Sequence, residues 1–455
     1  MNKKDVNMLS GPIVRGLLTI TFPFMIMQIL QSLINIVDMT ILKSFDTDGG
    51  IAVGAVGECS ALITSIVGLV SGISAGVNVV VAKNIGRRDS DGINRAISSA
   101  VCIAMIGGVI LSLVGVLFAE VFLSAMGCPA EIFSQSVLYF RLYFVGVPIF
   151  LLYNFCAAIL RSSGNTKGPM VYLTLGGIVK VLLTYVFVGW FRLGVAGVSF
   201  ATILAYILSL GLALNALLRS KGPAKLCLKG IRFHKTETKE ILQLGVPSGL
   251  QQCMYSVANV AIITAVNSFG VKATTGVSIA NNFDGVLYQV CVAASHAVMP
   301  YVSQNIGNNN PQRARQAVRR GILIAVSLGA FFGSLSAIFS PQLASIMSDD
   351  PEVINYARQK MIIISSTYFI HGINEILGGA LRGLGKPIPS AICTFLFMCV
   401  LRFAWVYFIF PLLPNLTFLY LVWPIGWLLC IVCQLAVYLP TIRKHIREAA
   451  APAAN

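Results

Sequence analysis

The chain has 455 residues, of which 56% are hydrophobic and only 11% charged, against about 25% charged in ordinary soluble domains. That balance excludes a water-soluble globule, and it removes nucleic acid as the first explanation of the formal net charge of +16. Closed membrane barrels need short alternating strands, whereas the apolar runs here are continuous, so the spanning elements are helices.

Twelve such runs follow one another, at 12–42, 51–82, 94–124, 132–159, 169–190, 194–218, 240–268, 276–303, 316–341, 353–380, 388–411 and 417–441. Each is long enough to cross about 30 Å of hydrocarbon. Span one carries Gln28, Gln31, Asn35 and Asp38 at helical spacing, a polar stripe on one face of an apolar helix. Span two has Gly68, Gly72 and Gly76, a small-xxx-small pattern for close helix packing. The pairs Gly107-Gly108, Gly176-Gly177 and Gly378-Gly379, with Pro148 in mid-span four, mark bends or close contacts. Span five places Lys180 in mid-membrane with Thr184 one turn later. Residues 219–239 form a basic polar linker at the midpoint, expected at the inner surface. Span eight carries Asp284 and, near its inner end, His296, expected to be a hydrogen-bonded structural residue; span ten carries His371 and Glu375 at i, i+4, and span eleven carries Arg402. Cys430 and Cys433 form a C-x-x-C within a helix face without polar company and read as packing.

Most Lys and Arg fall in the loops after the even-numbered spans and at the termini, while the opposite loops hold only Lys43, Arg192 and Lys272 and collect Asp46, Asp48, Glu120, Asp349, Asp350 and Glu352. By the positive-inside rule both termini are cytoplasmic and the number of spans is even. The halves also share markers. Pro23 to Asn35 resembles Pro247 to Asn259 at an offset of 224, and Asn84-Ile85-Gly86 returns as Asn305-Ile306-Gly307 at an offset of 221. Leu160, Arg161 and Gly164 return as Leu381, Arg382 and Gly385, again 221 apart. The reading is an all-α membrane protein of twelve transmembrane helices in two pseudo-symmetric six-helix lobes, 1–218 and 240–441, with a cytoplasmic tail at 442–455. A duplicated helical bundle points to a transporter.

An ionisable group at bilayer depth is costly and marks function by default. In the first lobe Asp38 is the titratable candidate, Lys180 its expected partner as a charge switch, and Asn35 and Thr184 complete a cation-coupling group. In the second lobe Arg402 falls near the repeat position of Lys180, with Glu375 and Asp284 as expected partners; His371 beside Glu375 suits a proton relay. Candidates for contact with cargo are the polar Gln31, Asn154, Thr202, Gln252 and Asn259. Aromatic candidates are Tyr153, Tyr185, Phe283, Tyr288 and Tyr368. H-E-x-x-H, Walker A and G-x-S-x-G patterns are missing from the sequence, so metalloprotease, ATPase and hydrolase readings lose their motif. The chain reads as a non-enzyme with no cofactor and no structural metal, driven by an H⁺ or Na⁺ gradient or by the cargo's own.

The chain resembles the multidrug and toxic compound extrusion (MATE) family of cation-coupled exporters. The resemblance rests on Pro23 with Asp38, on Ala82-Lys83-Asn84-Ile85-Gly86, and on Leu160 to Lys167. It continues through Gly194-Val195-Ala196-Gly197 with Ala201 and Thr202, Gly245-Val246-Pro247, and Leu381 to Gly385. It implies two six-helix lobes about a cleft that opens alternately to either side, and export of bulky amphipathic, often cationic compounds in exchange for H⁺ or Na⁺. It also implies that Asp38 holds the first-span acidic position used for coupling. Where members of the family often carry Asn and Asp in span five, this chain has Lys180 and Thr184, and span seven offers Gln251, Gln252 and Asn259 but no Glu. Both departures favour protons over sodium. The expected setting is the plasma (inner) membrane of a bacterium, with a monomer, small amphipathic cargo, the lipid bilayer and no nucleic acid as partners. The alternative function is a flippase for lipids or lipid-linked oligosaccharides, which calls for a strongly cationic cleft.

Overall fold

A computed structural model describes residues 6–45, 50–220, 222, 225–226 and 231–450, so part of the expected linker lies outside the described residues. Among these residues all regular structure is helical. The first half runs α1 (Ile13–Phe45), α2 (Ile51–Arg87), α3 (Ser90–Leu117), α4 (Ala119–Ala125), α5 (Ala130–Val145), α6 (Val147–Ser162), α7 (Lys167–Thr184), a π-helical turn (Tyr185–Trp190) and α8 (Gly194–Leu218). The second half runs α9 (Lys235–Asn267), α10 (Val271–Gly307), α11 (Pro311–Ile338), α12 (Ser340–Ser345), α13 (Pro351–Ser366), α14 (Tyr368–Gly383) and α15 (Pro387–Thr394). It closes with π turns at Phe395–Val400 and Trp405–Ile409 around α16 (Leu401–Ala404), then α17 (Leu416–Tyr420) and α18 (Val422–Ala450).

Each of the twelve apolar runs corresponds to one helix or to a broken pair. Among the described residues nine helices are long and apolar enough to span a membrane, ten if α5 and α6 count as one bent span. The other two runs, α9 and the α13–α14 pair, are long enough but more polar, because they carry Glu237, Glu240, Gln251 and Gln252, or Glu352, Arg358 and Lys360. Elsewhere large apolar side chains point outward, as along Met105, Ile106, Val109, Ile110 and Leu113 of α3. Such faces are stable where the surrounding solvent is hydrocarbon.

The duplication is visible in local structure at the same offset of 221. Asp89 caps α3 by accepting from Gly92 N at 2.8 Å, and Asn310 caps α11 by accepting from Arg313 N at 3.1 Å. Spans four and ten both break in the middle, at Gly146 and at Thr367, and the first break bends the path by 45°. The causes differ. Pro148 lacks an N–H and its ring crowds the preceding turn, whereas Thr367 Oγ1 bonds back to the carbonyls of Ile363 and Ile364 at 3.0 and 2.9 Å. A glycine faces each break: a Cβ on Gly108 would lie 2.7 Å from Pro148 Cα, and one on Gly329 would lie 3.0 Å from Phe369 Cα.

The described residues group into two compact units, one of Val6 with those of 26–245, the other of those of 7–25 with 246–450. Relative to lobes at 1–218 and 240–441, the first part of α1 and the first part of α9 change sides, each beside a proline, Pro23 or Pro247. Polar anchors account for the exchange. In the first unit Lys83 pairs with Glu240 and Arg95 with Glu237, each at 2.6 Å. In the second, Asn305 donates to Met8 O, and Arg313 donates to Met8 O and Gly11 O. On the opposite side of the chain path, Asp350 caps α13 by accepting from Glu352 N and meets Lys272 at 3.1 Å; these contacts hold its carboxyl below the usual range.

The glycine contacts set a packing test. Gly108→Val and Gly329→Val should each destabilise the protein by about 1–3 kcal/mol through overpacking, while Gly211→Ala, which meets nothing within 4 Å, should leave it unchanged. Thermal unfolding in detergent, followed by tryptophan fluorescence, reads the difference; equal melting temperatures for all three would contradict the packing assigned to the breaks.

Candidate functional site

In the first unit the polar stripe of α1 meets α7. Lys180 Nζ lies 2.6 Å from Asp38 Oδ2 and 3.4 Å from Asn35 Oδ1. The Asp38 and Lys180 side chains are 5% and 15% exposed, so the carboxylate is buried and the ammonium half-buried. It is a close charge contact rather than an aligned hydrogen bond, and Asp38 Oδ1 is buried with no hydrogen-bond partner. Thr184, one turn beyond Lys180, is fully buried with its hydroxyl unpartnered, and the π turn at Tyr185–Trp190 follows at once. Such turns recur where a helix is distorted for function. The structure thus joins Asp38, Asn35 and Lys180, while Thr184 makes no bond to them. Gln31 lies on the same stripe, half-buried.

The second unit divides the expected charged network. Arg402 pairs with neither Glu375 nor Asp284: its Nη1 donates to Asn259 Oδ1 at 2.7 Å, and the guanidinium lies 5.0 Å from the centre of the Trp423 ring. The reason is that Asp284 is already taken. Lys360 Nζ, in α13, lies 2.9 Å from Asp284 Oδ2, also donates to Asn281 Oδ1, and sits 5.8 Å from the same Trp423 ring. Glu375 faces His371 at 4.0 Å, the expected i, i+4 pair, with Tyr288 stacked on the imidazole at a centroid distance of 5.4 Å. Tyr288 Oη in turn donates to Gln252 Oε1 at 3.4 Å. Both imidazole nitrogens lack a hydrogen-bond partner.

Lys360 is the residue that sequence reasoning missed, since Glu352 and Arg358 nearby make it look like part of a solvated helix end. A signal was available. Asn281-x-x-Asp284 repeats the Asn35-x-x-Asp38 pattern, an amide and a carboxylate on one helix face. Each pattern holds one lysine, the half-buried Lys180 or the buried Lys360.

Several cargo candidates have their polar groups engaged at home. Tyr153, buried, donates to Pro169 O at 3.1 Å; Asn154 donates to Phe150 O and Thr202 to Val198 O, both at 2.8 Å. Phe283 packs against the small cluster of Ile279, Ala344, Val353 and Ala357, and Tyr368 Oη donates to Asp284 O at 3.0 Å. His296 stacks on Phe24 at 4.6 Å, and Tyr185 meets Phe45 edge-on.

A family model described as MatE matches residues 23–186 and again 247–408. Among curated proteins the chain is 25% identical over 382 residues to a probable multidrug resistance protein, YoeA of Bacillus subtilis, covering 82% of each. It is also 25% identical over 391 residues to an FAD transporter of Shewanella oneidensis, covering 85% of each. A solved structure, the outward-facing conformation of a multidrug resistance MATE family transporter of the MOP superfamily, superposes with a TM-score of 0.88 at 19% identity, over 99% of this chain and 100% of that one.

A double-mutant cycle checks the buried pair. Asp38→Asn and Lys180→Met should each cost about 3–5 kcal/mol by leaving one charge uncompensated, and the double variant should recover about 1–3 kcal/mol of the sum. Denaturant unfolding in detergent measures it; strictly additive losses would mean that the two side chains do not stabilise each other.

Proposed function

This chain belongs to the MatE family of membrane transporters, and from that membership we propose that it exports amphipathic, often cationic small molecules in exchange for protons by alternating access. The single observation that supports coupling is the buried Asp38–Lys180 pair with its spare carboxylate oxygen. Lys180 occupies the position from which a coupling cation would balance Asp38. Two unit charges about 4 Å apart interact by roughly 4 kcal/mol at an effective dielectric near 20, so a sodium ion entering beside the ammonium meets repulsion of that order. A proton does not need a coordination shell. Protonating Asp38 at Oδ1 neutralises the carboxylate and leaves the Lys180 ammonium beside neutral oxygens alone, Asp38 Oδ2 and Asn35 Oδ1, an altered charge state of α1 against α7.

In the second unit His371 and Glu375 form a second buried acid–base pair, the place for a proton relay. The setting is a bacterial plasma membrane, with both termini on the cytoplasmic side and the protein acting as a monomer. Relatives named as multidrug resistance proteins support the cargo class.

Proteoliposomes carrying the purified protein should take up ethidium when the lumen is acidic relative to the outside, and a sodium gradient alone should not drive uptake. Asp38→Asn should reduce uptake to that of protein-free liposomes. Lys180→Ala, which vacates the ammonium's position, should weaken proton coupling and make uptake responsive to sodium. Normal exchange by Asp38→Asn would end the coupling role given to that carboxylate.

A further inference from the structure

Among the described residues, two basic side chains inside the apolar spans meet a carboxylate and a third does not. Lys180 has Asp38 and Lys360 has Asp284. Arg402 is 3% exposed and has no carboxylate within 4.0 Å among the described residues. A guanidinium offers five N–H donors in a planar fork, and here one of them finds an acceptor, the carbonyl oxygen of Asn259. The Trp423 ring gives partial compensation, because a cation near an indole is attracted to its π face. Lys360 approaches that same ring, so two cations and one carboxylate, Asp284, share the neighbourhood of Trp423. Among the groups in contact with Trp423 or with its two cations, the sum is one positive charge; Glu375, which faces His371, touches neither cation.

The surroundings favour a ligand rather than a closed core. Asn259, whose side-chain oxygen accepts from Arg402, is exposed, and Trp423 is half-buried. The Tyr255 hydroxyl, buried and without a hydrogen-bond partner, lies within Coulombic reach of Arg402. We infer that Arg402, Asn259, Tyr255 and Trp423 form a binding site for an aromatic molecule bearing an oxyanion, a carboxylate or a phosphate, with the ring on Trp423 and the anionic group on the Arg402 fork. Planar bidentate recognition of such groups is the task for which arginine is better suited than lysine. As cargo, this ligand rests on the proposed export function and extends it to anionic aromatics.

The test uses the full-length protein in lipid nanodiscs, with empty nanodiscs as the partitioning control. Binding of 1-naphthoate, 1-naphthyl phosphate and the neutral 1-naphthamide is measured by calorimetry. One or both oxyanions should bind about tenfold or more tighter than the amide, and the tighter of the two assigns the head group. Arg402→Gln should cut that preference to about twofold or less, while Arg402→Lys, which keeps the charge without the fork, should retain part of it. An amide bound as tightly as both oxyanions by the wild type, a result that needs no variant to fold, overturns the site; so does an unchanged preference in Arg402→Gln. Ethidium accumulation in a drug-hypersensitive host reads the export proposal separately. Ethidium export without oxyanion preference sinks this site alone, and oxyanion preference without ethidium export sinks the export reading alone.

Discussion

A lysine ammonium held inside a membrane protein must meet a carboxylate, and the rest of this structure is arranged around that requirement. Removing an ion from water costs several kcal/mol even after relaxation, and a single partner repays it only with good geometry and further acceptors. The protein meets this twice in one way. Asn35-x-x-Asp38 presents an amide carbonyl and a carboxylate to Lys180, and Asn281-x-x-Asp284 presents the same two groups to Lys360. Spacing of three residues puts both acceptors on one helix face, so the pairing is fixed once that face turns inward. Each clamp keeps a carboxylate buried beside its lysine, and Arg402 stands out because no carboxylate lies within 4.0 Å of it among the described residues.

The repeat at an offset of 221 preserves geometry more faithfully than chemistry. Asp89 and Asn310 cap helices at equivalent positions, and spans four and ten break at equivalent positions, yet proline makes one break and a threonine hydroxyl the other. The basic residues of spans five and eleven match in placement but not in charge balance. Lys180 and Arg402 each touch an asparagine of the first helix of their own half, Asn35 and Asn259, and only the first has an adjacent aspartate. A duplicated body with one balanced and one unbalanced basic centre gives its halves different local electrostatics.

The polar anchors show how membrane helices are placed where the hydrophobic effect gives no preference between neighbours. The exchanged starts of α1 and α9 are held by ion pairs and by hydrogen bonds to backbone carbonyls, among them Lys83–Glu240, Arg95–Glu237 and Arg313 on Met8 and Gly11. Both exchanges occur beside a proline inside a long helix, where a missing hydrogen bond makes the axis easier to redirect.

Composition and periodicity were enough to determine an all-helical membrane protein, its twelve apolar runs and its duplication, because bilayer thickness and backbone hydrogen bonding leave few other solutions. The Asp38–Lys180 pair was also legible: two isolated opposite charges in the same half of an apolar chain have little choice but each other. The second half held more charges than pairs, and there the sequence left the matching open. Tertiary structure decided that Lys360 claims Asp284, that Glu375 faces His371, and that Arg402 is left with Asn259 and Trp423. Spacing along one helix says which groups share a face, but which face meets which neighbour depends on helix rotation and packing, and only the folded chain fixes those.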